Sequence, residues 1–383
     1  MIDVISGMES EAPFIPALTA KVDVNLGFGC NLKCPFCYYY DSVVTKANLN
    51  TLDTEAAKAR LRKAKRLGVE EVEFTGGEPT LRKDFPELIA YGKHDLGFKL
   101  ISVVTNGSVM SNSRALERMV RAGLDDVLLS VHGHVPEIHD LLTATSGSFR
   151  RVLLAMCNIS DSGIRLRINS VICKPNYRYT SQIVKFCIDK RVDSISLIGF
   201  NPILQVASPM HATELYVRHT DVAEEIKRAL DRYKADLPPV NIRYMPFCLF
   251  RGYERYVTNH DQFTWEPDEW NNYLSTAMCD GRLRAVKRAL LAFRQVKYKR
   301  FALKYGIRGV LTAGMQRHYA RNKVKSPKCA DCAFEGVCDY VWAEYFKIFG
   351  DEELQAVSGP RIDNPVWITD AARRRRPGVL PRR

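Results

Sequence analysis

Gly27-Phe28-Gly29-Cys30-Asn31-Leu32-Lys33-Cys34-Pro35-Phe36-Cys37 sets three cysteines at C-x3-C-x2-C spacing, directly after the apolar run from Val22 to Leu26. Thiolates are the usual protein ligands of iron–sulfur clusters, and close spacing lets one loop wrap one cluster. Three ligands are one short of the four irons in a [4Fe–4S] cube, so a fourth iron would stay open to another ligand. Gly27 and Gly29 allow close approach of the backbone, and Pro35 stiffens the loop. Two plainer readings compete: a structural zinc site, which calls for four Cys or His ligands and finds no His nearby, and a set of core cysteines.

A second stretch bears on the choice. Phe74-Thr75-Gly76-Gly77-Glu78-Pro79 follows a strand-like run, Val69 to Phe74, one strand–helix unit after the cysteines. Together the two motifs resemble the radical S-adenosylmethionine (SAM) superfamily, with an aromatic residue, Phe36, before the last cysteine. The resemblance covers residues 20–200. It implies a [4Fe–4S] cluster on Cys30, Cys34 and Cys37, with SAM on the open iron and its methionine amino group at Gly76, Gly77, Glu78 and Pro79. It further implies SAM contacts from Phe36, from Thr105 in Thr-Asn-Gly, from Ser130 in Ser-Val-His-Gly, and from Arg167 in Arg-Ile-Asn. Arg165, two residues earlier on the same face, is an equal candidate for the carboxylate-binding role.

Periodicity supplies the fold. Helical spacing recurs over 54–67, 85–91, 113–122, 149–159 and 179–190, with Asp84 as an N-cap and Gly123 as a C-cap. Strand-like runs fall at 22–26, 71–74, 100–104, 126–131, 165–172 and 194–198. Such alternation predicts βαβ units on a parallel sheet. The expectation is an α/β fold, a partial (β/α)6 TIM-like barrel with a smaller C-terminal cluster-binding extension. Active sites of parallel barrels gather at the C-terminal strand ends, where Cys30, Gly76, Thr105, Ser130 and Arg167 fall. His132, His134 and His139 read as loop residues, and Cys157, Cys173 and Cys187 as small core hydrophobes.

The organisation that follows is a lead-in over 1–20, a barrel core over 21–205, and a bridging, basic helical region over 206–325. An auxiliary cysteine module over 326–350 and a basic tail over 351–383 complete it. One long helix is expected from Thr213 to Tyr233 and a short strand from Ile242 to Tyr244. Cys329, Cys332 and Cys338 are spaced C-x2-C-x5-C, which resembles the twitch or SPASM auxiliary-cluster modules of radical SAM enzymes. The longer SPASM pattern has another cysteine where Trp342 stands here, so the resemblance implies one auxiliary [4Fe–4S] cluster. Cys248 is the expected fourth ligand and Cys279 the alternative; zinc is the competing metal.

Hydrophobic residues make up 46% and charged ones 26%, which places the chain among ordinary globular proteins. Eleven cysteines without a basic-then-apolar leader point to a reducing, cytoplasmic setting and metal binding rather than disulfides. The net charge of +13 is uneven: residues 281–383 carry 23 Lys/Arg against 9 Asp/Glu, and residues 1–280 carry 33 against 34. Arg282 to Tyr305 reads as a basic amphipathic helix suited to weak attraction to an anionic membrane surface.

The expected function is an oxidoreductase or maturase. It cleaves SAM reductively to a 5′-deoxyadenosyl radical and abstracts hydrogen from a peptide or small natural-product substrate, with electrons from a flavodoxin or ferredoxin. Dehydrogenation, epimerisation and cross-linking stay open as outcomes. Nucleic-acid modification is a second enzymatic reading, carried by the basic and aromatic residues of 281–330 but by no RNA-binding fold. An iron–sulfur scaffold or electron-transfer protein is the non-enzymatic one, and the Gly-Gly-Glu-Pro motif argues against it.

Overall fold

The computed structural model describes residues 21–40, 43, 51–66, 68–200, 214–258 and 323–362. Eight strands form one sheet in sequence order: β1 (Lys21–Asn25), β2 (Glu71–Thr75), β3 (Leu100–Thr105), β4 (Asp126–Ser130), β5 (Arg165–Ile172), β6 (Ser194–Gly199), β7 (Val240–Arg243) and β8 (Val257–Thr258). Every neighbouring pair is parallel. The sheet therefore outruns the expected six strands, and a boundary at 205 would cut it. β7 overlaps the short strand expected at Ile242–Tyr244, and β8, two residues long, leaves no periodic trace.

Helices fill the connections: α1 (Thr54–Arg66), α2 (Phe85–Ala90), α3 (Ser113–Arg121), α4 (Pro136–Thr143), α5 (Ser148–Ser162), α6 (Thr180–Asp189) and α7 (His219–Arg232). The outward side chains of each strand, such as Val22, Phe74, Ile101, Val127, Ile168 and Leu197, are buried in one core with the helices. The opposite face is polar, with Lys21, Glu73, Ser102, Asp126 and Arg167 all buried there. A parallel sheet covered on both faces usually reads as continuous apolar runs; here the alternation marks a concave, polar interior. The curl is direct: Arg167 on β5 reaches Glu73 on β2 at 2.8 Å, across the two intervening strands.

Some expected details change. Helix α4 has no strong apolar period because two of its three buried residues are His139 and Thr143. Asp84 makes no capping bond to α2; its carboxylate is held by Arg82 and Thr54. Helix α7 begins at His219 rather than Thr213, with its first N–H groups satisfied from the C-terminal segment. The Tyr345 hydroxyl accepts from His219 N at 2.7 Å, and the Glu353 carboxylate accepts from Thr220 N at 2.7 Å. That segment contains the antiparallel pair β9 (Lys323–Val324) and β10 (Val341–Trp342), followed by α8 (Ala343–Phe349). The expected basic helix over 282–305 and Cys279 lie outside the described residues, as does the basic tail beyond residue 362.

Candidate radical and auxiliary cluster sites

The cysteine loop leaves β1 at the C-terminal end of the sheet, and the Gly-Gly-Glu-Pro loop leaves β2 beside it. The two loops are bonded backbone to backbone: Gly77 N donates to Gly27 O and Glu78 N to Gly29 O, both at 2.8 Å. A Cβ on Gly76 would lie 2.3 Å from Gly27 O, and one on Gly77 would lie 2.2 Å from Gly29 O. Gly76 also sits at φ +137°, a conformation open mainly to glycine. The steric demand thus falls on Gly76 and Gly77. Gly29, expected to be needed for close approach, has nothing within 4 Å of its Cβ position.

Inside the loop, Cys37 N donates to Cys34 O at 3.0 Å, and Lys33 N anchors the turn to Thr143 O at the end of α4. Phe28 stacks on Tyr39 with ring centroids 4.3 Å apart. The Cys30 sulfur accepts from Leu32 N at 3.4 Å and from the Asn106 side-chain amide at 3.7 Å; the Cys37 sulfur accepts from Tyr39 N at 3.4 Å. Burial raises all three thiols, Cys30 to about 11, and for Cys30 and Cys34 the charges of the neighbouring thiolates add to the rise. Such a trio ionises only against a positive centre. Among the described residues no three Cys, His, Asp or Glu converge closely enough to hold a single metal ion. A cube instead takes its thiolates on separate irons, and N–H donors to sulfur suit it. The donor set fits a cluster.

Glu78 is buried, and its carboxylate is occupied by the protein. Oε1 accepts from Thr105 Oγ1 at 2.7 Å, from Thr80 N at 3.1 Å and from Thr80 Oγ1; Oε2 accepts from Asn106 N at 2.7 Å. Burial raises its pKa against these donors. Thr105 is therefore a partner of Glu78 here, and the buried Pro79 opens the turn Pro79–Leu81 just beyond. Ser130 ends β4, and its hydroxyl makes no hydrogen bond among the described residues. Phe36 meets His132 edge-on at 4.6 Å. His132 and His134 lie in the loop after β4, as expected, whereas His139 lies in α4; His132 and His139 are buried, with His132 Nδ1 accepting from Val171 N and His139 Nδ1 from His132 N, both at 3.2 Å.

Arg167 does not reach this end of the barrel. It lies near the start of β5, and its guanidinium bonds Asp126 Oδ1 and Glu73 Oε1, both at 2.8 Å, while Lys21 bonds Glu73 at 2.8 Å. Arg165 also turns to Asp126, at 3.5 Å. Both arginines belong to the barrel floor, and the expected carboxylate-binding role is withdrawn for each. Arg167 bridges two buried carboxylates, of which Asp126 has no other cation closer than Arg165 among the described residues, and this holds the guanidinium down.

The second cysteine group comes together. Cys248, in the turn Phe247–Phe250 after β7, shares one cleft with Cys329, Cys332 and Cys338. Phe247 and Phe334 stack beside it, centroids 4.8 Å apart. Cys332 sulfur accepts from Val357 N at 3.4 Å and Cys338 sulfur from Tyr340 N at 3.5 Å. Burial pushes Cys338 up to about 12 and raises Cys248 and Cys329, with the neighbouring thiolates adding to each. Trp342 is a core side chain beside Tyr345 and Leu354. Cys173 and Cys187 are buried as expected; Cys157 is exposed, on the outer face of α5. Sequence reasoning missed Asn106, whose only signal was its place in Thr-Asn-Gly at the end of β3.

Comparison with known proteins agrees with this geometry. Residues 24–187 match the family model of the radical SAM superfamily. The chain is 31% identical to Fe-coproporphyrin III synthase of Methanosarcina barkeri over 171 residues, 45% of this chain and 41% of that one. It is 27% identical to PqqA peptide cyclase of Xanthomonas axonopodis over 245 residues, 62% of this chain and 64% of that one. Streptococcus suis SuiB is similar in structure, with a TM-score of 0.48 at 21% identity, covering 58% of this chain and 49% of SuiB. The chain spans less than two thirds of the length of each of these two curated relatives. The family match starts inside β1 and ends inside α6, so it takes in both interlocked loops and the strands that carry them; over residues 24–187 the chain is similar to the radical SAM superfamily.

Proposed function

We propose that the protein is a radical SAM oxidoreductase or maturase acting on a peptide or small natural-product substrate. The carrying observation is the interlock of the two loops, in which Gly77 and Glu78 bond directly to the backbone of the cysteine loop. A loop pair of this kind serves no purpose in a simple electron carrier. Cys30, Cys34 and Cys37 would hold a [4Fe–4S] cluster with SAM at its open iron, and Cys248, Cys329, Cys332 and Cys338 an auxiliary one. Bound SAM supplies, on one-electron reduction, a 5′-deoxyadenosyl radical able to take hydrogen from an unactivated carbon.

The chain's own residues supply position. Glu78, held by Thr80, Thr105 and Asn106, fixes the loop rather than acting as a general base. Ser130, Asn169, Ser196 and Asn241 lie in register across β4 to β7, on the face that carries Arg167. Among the described residues the buried Ser196 hydroxyl and the Asn169 side-chain carbonyl have no hydrogen-bond partner. A polar substrate or SAM ribose entering the barrel would satisfy them. The peptide reading draws on the similarity to PqqA peptide cyclase, a flavodoxin or ferredoxin is the expected electron donor, and the expected setting is cytoplasmic. No described helix is long and apolar enough to cross a membrane. Weak attraction to anionic lipid and the nucleic-acid alternative rest on 281–330, most of which lies outside the described residues.

Anaerobic reconstitution tests this reading. Two cubes correspond to about eight irons per chain, and changing Cys30, Cys34 and Cys37 to Ala should remove about half. Reduced protein with SAM should release 5′-deoxyadenosine slowly; none under any reductant would refute the enzymatic reading.

A further inference from the structure

Asn106 stands one residue beyond β3 and is fixed from several sides. Its backbone N–H donates to Glu78 Oε2 at 2.7 Å. Its side-chain carbonyl accepts from Ser108 N at 2.9 Å. Its side-chain amide nitrogen donates to Asn31 Oδ1 at 2.9 Å and to Cys30 Sγ at 3.7 Å. Asn31 is oriented in turn by donating to Ser108 Oγ at 2.9 Å. Turning the Asn106 amide over would set oxygen against Asn31 Oδ1 and nitrogen against the Ser108 N–H. The network therefore admits one orientation, with an N–H aimed at the Cys30 sulfur.

The potential of an iron–sulfur cluster is set partly by hydrogen bonds to its cysteine sulfurs and by its surroundings. Reduction adds negative charge that spreads onto those sulfurs, and an N–H donor stabilises it. The Leu32 and Tyr39 donors to Cys30 and Cys37 belong to the backbone and follow from loop shape alone. Asn106 supplies a side-chain donor that sequence can change. Because the same residue binds Glu78, it couples the Gly-Gly-Glu-Pro loop to a cluster ligand.

We propose that Asn106 is a positioning residue that raises the reduction potential of the cluster on Cys30, Cys34 and Cys37 by donating a hydrogen bond to the Cys30 sulfur. This rests on the reading of those cysteines as cluster ligands. The test is a potentiometric titration of the reconstituted full chain followed by electron paramagnetic resonance, with the relevant cluster identified by the change of its signal on adding SAM. Asn106→Ala should keep the iron content and lower the midpoint potential. Asn106→Asp, of the same shape but with a negative acceptor in place of the donor, should lower it further. An unmoved midpoint at equal iron content in both variants would overturn the proposal. If the variants fail to hold the cluster, wild-type protein carrying asparagine labelled with nitrogen-15 at the side-chain amide decides it. The reduced cluster should show coupling to that nitrogen by electron spin-echo modulation, and absence of the coupling overturns the proposal. A wild type with no SAM-sensitive signal would instead refute the cluster assignment itself.

Discussion

Arg167 on β5 bonds Glu73 on β2 at 2.8 Å across the concave face of the sheet. Three inter-strand steps of about 4.8 Å separate those strands in a flat sheet, so the bond is a chord that only a curled sheet permits. With Lys21 and Asp126 it closes the barrel floor by pairing buried cations with buried carboxylates. Arg167→Leu would leave the buried Asp126 with only the longer Arg165 ion pair and Glu73 with only that to Lys21 among the described residues, at a cost of about 3–5 kcal/mol for breaking a buried ion pair. Urea denaturation of the variant should show a loss of that size.

The same floor sets an acid limit. Burial favours protonation of Glu73, but the Lys21 and Arg167 charges outweigh it and hold the pKa down at about 2. A depressed folded value contributes stability above the unfolded carboxylate value of about 4.3, and that stability is lost as pH falls. Denaturation midpoints should therefore drop between about pH 4 and pH 2. Glu73→Gln should start from a lower plateau and lose less over that window; an equal drop in both proteins would remove Glu73 as the cause.

Gly77 tests the interlock of the loops. A methyl group there would lie 2.2 Å from Gly29 O, a distance no side-chain adjustment relieves because the neighbour is backbone. Gly77→Ala should leave the far-ultraviolet circular dichroism intact and cost about half of the reconstituted iron, as expected when one of two cubes is lost. Full iron retention would show that the loops can part without harm.

Glu78→Gln should weaken SAM binding by about tenfold or more, because an amide nitrogen turned towards the Thr105, Thr80 or Asn106 donors leaves at least one buried group unpaired. Equilibrium dialysis with SAM on the reconstituted protein measures this. Unchanged affinity would assign Glu78 to loop stability alone.

Cys248 and Cys279 make opposite expectations. Cys248 shares a cleft with Cys329, Cys332 and Cys338. Cys248→Ser should destabilise the auxiliary cluster and lower the iron count, while Cys279→Ser should leave it full. Iron analysis after gel filtration distinguishes them, and the reverse result would move the fourth ligand to Cys279.

What could be read from the chain was local. The cysteine loop and the Gly-Gly-Glu-Pro loop declare themselves by residue type and spacing, and β5 was legible to both ends because its apolar period of two is long. Arg167 was misplaced because strand position alone does not say how far down a barrel a long side chain sits; its partners, Glu73 and Asp126, are 94 and 41 residues away. Cys157 failed for a related reason: it lies inside an apolar run, but one step of about 100° on a helix turns it to solvent. Asn106 was silent because its function is a contact, made across 76 residues to Cys30.

The cap on α7 has a consequence for the order of synthesis. His219 and Tyr345 are 126 residues apart, and Thr220 and Glu353 are 133 apart. A ribosome adding about 5–20 residues per second would need several seconds to nearly half a minute to cover that distance. Throughout that interval α7 has emerged but lacks the hydroxyl and carboxylate that satisfy its first N–H groups. The earlier βα units can pair as they appear, since each contacts the unit before it. The last helix of the barrel must wait for the segment that also carries Cys329, Cys332 and Cys338, so the nascent chain completes its barrel and its second cysteine site together.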